Sequence, residues 1–138
     1  MGKALVIQGG SFGLNAIYSG SNYEYINNSF TWGKGGISIP GTSSGNTNPT
    51  MCMVGLPLEY ADEDLFYVAA NGYKIAALLK SDYPSPGNNQ YTYTQYSPAL
   101  DSLIIPAGKY YEIAIERADG ENAVLSDGPS ALLLRREV

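Results

Sequence analysis

The sequence predicts an all-β fold, an antiparallel β-sandwich of jelly-roll type, built as a single domain from residues 1–138. Sixteen glycines and eight prolines separate short β-prone runs, which is typical of sandwiches and barrels. Several runs alternate apolar and polar residues with a period of two, as a strand does when one face meets the core and the other meets water. About eight to ten short strands result, within the usual range for a double-sheet jelly roll.

The clearest strand pair is predicted at Leu103–Arg117, around a turn at Pro106-Ala107-Gly108. Proline presets φ at one corner of a turn, and glycine accepts the positive φ that a turn often needs. After the turn, three large apolar residues share the face expected in the core: Tyr111, Ile113 and Ile115. The opposite face, expected in water, carries Glu112, Ala114 and Glu116. Ala118-Asp119-Gly120 predicts the next turn.

The run Tyr73–Lys80 repeats this pattern, and Asn71-Gly72 just before it is a hairpin signal. Four of its residues are expected on one face: Tyr73, Ile75, Ala77 and Leu79. Lys74 and Lys80 lie on the other face. We expect this run and the strand after Gly108 to be the central strands of the sandwich.

Further strands are predicted at Lys3–Gln8, Met51–Leu58, Leu65–Ala69, Tyr91–Tyr96 and Ala131–Leu134. Leu14–Tyr18 is compatible with a short strand or a helical turn. Loops are predicted at Thr42–Thr50, Glu59–Asp64, Asp82–Asn89 and Asp127-Gly128-Pro129. Because Ala131–Leu134 is wholly apolar, we expect it to be covered on both faces, and a second copy of the chain is one candidate for the second cover.

The chain contains no histidine, one cysteine and a net charge of −5. Without histidine, Ser-His-Asp and Cys-His catalysis and His-ligated zinc are excluded. Cys52 is expected to pack as a small hydrophobe. The eight Lys and Arg residues form no basic stripe, so we expect no nucleic-acid partner. There is no signal-peptide pattern and no apolar run of membrane-spanning length, which predicts synthesis in a cytoplasm and no membrane partner.

Two glycine-rich patterns coincide at Gly9–Gly13. GGSFG fits the nucleophile elbow of esterases, with Ser11 as nucleophile, but the histidine that would deprotonate it is missing. LVIQGGSFG also mimics a dinucleotide-binding loop, but no βαβ alternation follows it. We therefore expect a bend between two strands, no enzymatic activity and no cofactor.

Four acidic residues form a weak calcium candidate, because calcium prefers several carboxylate and carbonyl oxygens: Glu59, Asp62, Glu63 and Asp64. Their spacing does not match an EF-hand loop. A solvated turn is the favoured interpretation, so we expect no metal.

Aromatic residues in a polar setting are the candidate binding residues: Tyr18, Tyr23, Tyr25 and Trp32. Tyr and Trp combine a flat apolar face with a polar tip, which suits sugar rings and protein interfaces alike. The alternative is that several of them belong to the core or to cross-strand ladders. We expect Tyr23, Tyr25 and Trp32 to form a partly exposed aromatic surface.

Three segments resemble a known group of proteins: MGKALVIQGGSFGLNAI at the start, YKIAALLKSD at Tyr73–Asp82 and IIPAGKYYEIAIERADG at Ile104–Gly120. The group comprises virion proteins of phages and prophages of gut bacteria, crAss-like phages among them. Its members are modules of tail fibres, head fibres and capsid-associated components, and they are associated with β-sandwich folds. The resemblance implies a virion structural or adhesion role and no catalytic residues.

The sequence therefore predicts a non-enzymatic phage virion protein, acting as a capsid-decoration, fibre or tail component through protein–protein contacts. Its expected location is the virion and its expected partners are other virion proteins. It is also expected to form a homo-oligomer, with a trimer as the first choice, because virion components are used in symmetric sets. The alternative is a carbohydrate-binding module whose exposed Tyr and Trp faces take a cell-surface glycan.

Overall fold

The computed structural model describes residues 22–40 and 51–138 and confirms an all-β sandwich. The strand predicted at Lys3–Gln8, the bend containing Ser11, the undecided run Leu14–Tyr18 and the loop Thr42–Thr50 lie outside these residues. In chain order the strands are β1 Tyr23–Asn27, β2 Thr31–Lys34, β3 Cys52–Leu56, β4 Glu59–Tyr60, β5 Leu65–Ala69, β6 Tyr73–Ser81, β7 Tyr91–Leu100, β8 Ser102–Ile105, β9 Tyr110–Arg117 and β10 Leu132–Glu137. A 3₁₀ turn at Leu125–Asp127 and the short helix α1 at Gly128–Ala131 precede β10.

The described strands form two antiparallel sheets. The four-stranded sheet has the order β1-β10-β5-β8. The six-stranded sheet has the order β2-β3-β9-β6-β7, and β4 pairs with one end of β9. The prediction that the runs at Tyr73 and Tyr110 are central is confirmed, because β6 and β9 pair with each other and each has another neighbour on its far side.

Both predicted hairpins are wrong, although the turns themselves are correct. Asn71 and Gly72 have positive φ (56° and 87°), and Gly108 has φ 91°. However, β5 pairs with β10 and β8, whereas β6 pairs with β9 and β7. Each turn therefore carries the chain from the four-stranded sheet to the six-stranded sheet. A turn fixes the reversal of the chain, but the strands' hydrogen-bond partners come from distant segments.

The main core lies between the two sheets. The expected face of β9 is confirmed, because Tyr111, Ile113 and Ile115 are all buried in this core. The four-stranded sheet contributes Tyr67, Ile105 and Leu132. The hydroxyls of Tyr67 and Tyr111 lie 2.7 Å apart and join the two sheets, and burial is the main reason that the pKa of Tyr67 is raised.

A β-bulge reverses the alternation in the middle of β6. The register shifts between Ile75 and Ala77, so that Ile75 and Leu78 face the main core while Ala77 and Leu79 face the opposite side. The expectation that Tyr73, Ile75, Ala77 and Leu79 share one face is therefore wrong. One extra residue in a strand moves every later side chain of that strand to the opposite face of the sheet. No residue in this run indicates a bulge.

The outer face of the six-stranded sheet is covered. A second apolar cluster lies on it, formed by Ile37, Val54, Ala77, Leu79 and Ala114. Ile37 comes from the segment after β2. Ala114 is fully buried, so the expectation that its side of β9 faces water is wrong at that position. This sheet is thus packed on both faces.

A buried asparagine fixes the corner between β1 and β2. The amide nitrogen of Asn28 donates to the carbonyls of Leu132 (2.7 Å) and Gly128 (2.9 Å), and its oxygen accepts the indole N–H of Trp32 (3.0 Å). Gly128 packs directly under the indole, where an added Cβ would lie 2.2 Å from the ring of Trp32. These contacts join the start of the chain's described part to α1 and β10.

The apolar run Ala131–Leu134 forms the end of α1 and the first half of β10. β10 is a central strand, with β1 on one side and β5 on the other. Ala131 and Leu132 are fully buried in the main core. Leu134 packs against the same core, whereas Leu133 lies on the outer face of the sheet and is only partly buried. A second copy as the cover of that outer face therefore stays a prediction.

Candidate functional site

The outer face of the four-stranded sheet presents a set of aromatic, apolar and charged side chains. Strand pairing places Tyr25, Arg135, Phe66 and Ile104 side by side in one row across all four strands. The alternation of side chains along each strand adds residues above and below this row. We call the whole set the Arg135 face: Tyr23, Tyr25, Phe66, Val68, Ile104, Leu133, Arg135 and Glu137.

Arg135 lies at the centre of this face between two aromatic rings. Its guanidinium carbon is 4.2 Å from the ring centroid of Tyr23 and 4.3 Å from that of Phe66. A guanidinium stacked on aromatic rings gains cation–π attraction and keeps the N–H groups at its edge available for further hydrogen bonds. The two rings therefore hold the charge in place and leave its donors at the protein surface.

The two arginines of β10 differ in their partners. Arg136 points the other way and forms an ion pair with Glu24 at 2.5 Å. In the part of the chain that the structure describes, no carboxylate forms an ion pair with Arg135. The pKa of Tyr25 is raised, chiefly by burial, and the charge of Arg135 opposes this effect. Arg135 is thus supported by rings and a phenol rather than by a counter-charge.

A groove of about 430 Å³ runs along one end of the Arg135 face. Its lining includes the carboxylates of Glu63, Asp64 and Glu137 and the side chains of Tyr23 and Arg135. Asp64 already accepts the backbone N–H of Ala107 at 2.8 Å. The face is therefore apolar around Ile104, positive at Arg135 and negative at this end.

The structure brings two of the four predicted binding residues together. Tyr23 and Tyr25 are 37% and 36% exposed and both lie on the Arg135 face. Trp32 is only 8% exposed, so the expectation of a partly exposed Trp32 is wrong. It occupies the core-facing position of β2, and its N–H is used by Asn28. Tyr18 lies outside the described residues.

The acidic calcium candidate is not assembled into a metal site. Glu59 lies in β4, whereas Asp62, Glu63 and Asp64 lie in the following turn. Within residues 22–40 and 51–138, no group of three or more His, Cys, Asp or Glu side chains is arranged to hold a metal ion.

Sequence reasoning missed Arg135, Phe66 and Ile104, which complete the face. Ile104 is 62% exposed, which is unusual for an isoleucine in a strand. The alternation of β5 and β10 could have indicated which residues point outward. It could not have indicated that these two strands are neighbours, because the pairing joins segments more than sixty residues apart.

A second groove, of about 410 Å³, lies beside the loop between β6 and β7. Its lining includes Tyr83, which is 48% exposed, together with Asn89 and Gln90. Asp82 and Lys109 form an ion pair at 2.6 Å across it. An exposed ring beside amide, carboxylate and ammonium groups offers the stacking and hydrogen bonding that sugars require.

No protein family, curated protein or solved structure matches this chain. In the described ranges, the structure has no helix that is long and apolar enough to span a membrane.

Proposed function

We propose that the protein is a non-enzymatic phage virion component, a capsid-decoration, fibre or tail protein that acts through protein–protein contacts. The observation that carries this proposal is the Arg135 face. One sheet of the sandwich is packed on both faces, whereas the other leaves aromatic and apolar side chains exposed around a stacked arginine. The Arg135 face supports the protein–protein contacts, and the virion assignment is what the resemblance of three segments to phage virion proteins implies.

The composition of this face suits a protein partner better than a sugar. Tyr and Arg are enriched among the residues that carry most of the binding energy in protein interfaces. Arg135 already occupies a face of both the Tyr23 and the Phe66 rings, and sugar stacking would require those ring faces to be open. An arginine whose donors remain at the surface fits a carboxylate or carbonyl of another polypeptide.

The jelly roll is the finer form of the fold in this proposal, and the strand order supports it. With β2 and β4 set aside, the other eight strands can be numbered one to eight along the chain. The two sheets then have the orders 1-8-3-6 and 2-7-4-5. These orders fit a double-sheet jelly roll, an architecture found in viral capsid and lectin domains. In this proposal the protein is made in the bacterial cytoplasm and resides in the virion with other virion proteins.

The second candidate function is carbohydrate binding, now at a different place from the one expected. Trp32 is buried and cannot stack on a sugar from outside. The groove beside Tyr83, with Asn89, Gln90 and the Asp82–Lys109 pair, is the observation that favours this function. The ligand would be a cell-surface glycan.

A mass-spectrometric inventory of purified phage particles from the source bacterium tests the first proposal. We expect the chain in the particles at a fixed copy number relative to the major capsid protein. Its absence from intact particles would overturn the virion assignment.

Glycan-array binding by the purified domain tests the second candidate. If the protein is a lectin, Tyr83→Ala should abolish array binding while Tyr25→Ala leaves it unchanged. Absence of any bound glycan would remove this candidate.

A further inference from the structure

We propose that two copies of this chain pair face to face through the Arg135 face, with their β10 strands antiparallel and with reciprocal ion pairs between Arg135 and the partner's Glu137. The pairing names a second copy as one partner of the site described above, but it does not depend on the protein being a virion component.

The charge pattern of β10 is the first argument. Arg135 and Glu137 are two residues apart on the same side of the strand, hence roughly 7 Å apart. In the described part of the chain, neither side chain forms an ion pair. When two such strands lie antiparallel across a twofold axis at the level of Arg136, each arginine lies opposite a glutamate. A parallel arrangement would put like charges opposite each other, so the pattern selects one orientation.

The aromatic residues follow the same register. Tyr25 is paired with Arg135 in the sheet, and Tyr23 is paired with Glu137. The twofold axis that sets Arg135 over the partner's Glu137 therefore also sets Tyr25 over the partner's Tyr23. Aromatic contacts of this kind add to apolar burial. On the other side of β10, the same axis sets the largely exposed Ile104 over the partner's Pro106 and Phe66 over the partner's Asp64, so Ile104 extends the apolar contact there.

The local geometry fits a stacked sheet. Side chains of two sheets packed face to face interdigitate across about 10 Å. Because Arg135 lies against the rings of Tyr23 and Phe66, it already occupies a fixed position in which it can meet a carboxylate without ordering a free side chain. The partner's carboxylate supplies the counter-charge that the guanidinium lacks within its own described chain.

The area of the Arg135 face predicts a weak dimer. Four strands of four to six residues, spaced at about 4.8 Å, give on the order of 300 Å² of sheet per copy, and an axis at the level of Arg136 overlaps only the part near the end of β10. Stable interfaces bury roughly 800 Å² per partner. We therefore expect reversible association at high micromolar concentration, weakened by salt because exposed ion pairs are screened. Weak contacts of this kind become effective when many copies are held close together.

Charge exchange tests the pairing by sedimentation velocity over a range of protein concentrations. Arg135→Glu alone and Glu137→Arg alone should each weaken dimerisation by roughly tenfold or more, because like charges then face each other. The double variant Arg135→Glu/Glu137→Arg should restore it. The two single variants, mixed in equal amounts, should form a heterodimer, because one copy then carries two acidic groups and the other two basic groups.

The matched control is Arg136→Glu, which makes the same change of charge on the same strand but on its opposite side. It should dimerise as the unmodified protein does, and circular dichroism should show that every variant is folded. An unmodified protein that stays monomeric, a threefold mass, or single variants that are not rescued by mixing would overturn this pairing. None of these results would affect the virion proposal, which the particle inventory decides.

Discussion

Replacing Asn28 by alanine should destabilise the protein far more than its position between two strands suggests. The side chain is buried and supplies partners to three buried groups: the carbonyls of Gly128 and Leu132 and the indole N–H of Trp32. An unpaired buried polar group costs about 1–3 kcal/mol. A water molecule entering the vacated space would recover part of this, so we take the lower value for each group and expect a loss of about 3 kcal/mol.

Urea denaturation measures this loss, and Asn27→Ala is the matched control because Asn27 is exposed in the neighbouring position. The control should change the free energy of unfolding by less than about 1 kcal/mol. Trp32 is the only tryptophan, so its fluorescence reports directly on this corner. In the folded Asn28→Ala variant the emission should shift to the red as water reaches the indole. Equal losses from Asn27→Ala and Asn28→Ala would refute the role assigned to this side chain.

Asn28→Asp sharpens the test. An ionised aspartate keeps the acceptor for Trp32 but turns a second acceptor toward the carbonyls of Gly128 and Leu132. A protonated aspartate can donate to one of them. The variant should therefore be less destabilised in acid than at neutral pH, relative to the unmodified protein at the same pH.

Three further predictions concern the strands and the glycine-rich bend. Burial raises the pKa of Glu112, so the folded protein holds this proton more tightly than the unfolded chain, and stability should fall as pH rises above the ordinary value of 4.5. Glu112→Gln should therefore raise the melting temperature at neutral pH and flatten the dependence of the melting temperature on pH. A lower melting temperature at neutral pH would contradict this. Ile113→Asp should destabilise the fold by about 3 kcal/mol or more in denaturant titration, because it buries an unpaired charge. Glu116→Ala should lower the free energy of unfolding by less than about 1 kcal/mol. Similar losses from the two variants would show that the face of β9 is misassigned. Ser11→Ala should leave any biological activity unchanged, and ester hydrolysis that disappears in this variant would overturn the proposal that the protein is not an enzyme.

Sequence reasoning identified most of the described strands because their signals are local. The core face around Ile113 and the turn at Gly108 each depend on a few adjacent residues, and both are confirmed. Pairing is not local. Asn71-Gly72 has the backbone of a hairpin turn, yet β5 and β6 belong to different sheets. The bulge in β6 is likewise decided by its neighbours β7 and β9, and so Leu78 faces the core where Ala77 was expected.

The candidate site was half predictable for the same reason. Tyr23 and Tyr25 could be selected because aromatic residues in a polar segment are conspicuous. Trp32 has the same sequence setting, but its indole is held in the core by Asn28, four residues before it, and packs against Gly128 from a distant segment. Arg135 could not be selected from the sequence, because an arginine after an apolar run is common. Its role becomes visible only when Tyr23 and Phe66 are placed on either side of it.

The pairing of β1 with β10 also determines how the chain reaches its native state. Tyr23 and Glu137 are partners across more than one hundred residues of sequence. Such non-local pairing delays folding, because the entropy of closing a long loop is lost before the contact forms. Until β10 has paired, β1 has no neighbouring strand in the four-stranded sheet and β5 lacks one of its two neighbouring strands. The nascent chain therefore exposes unpaired strand edges late in its folding, when they can be captured by another unfinished chain.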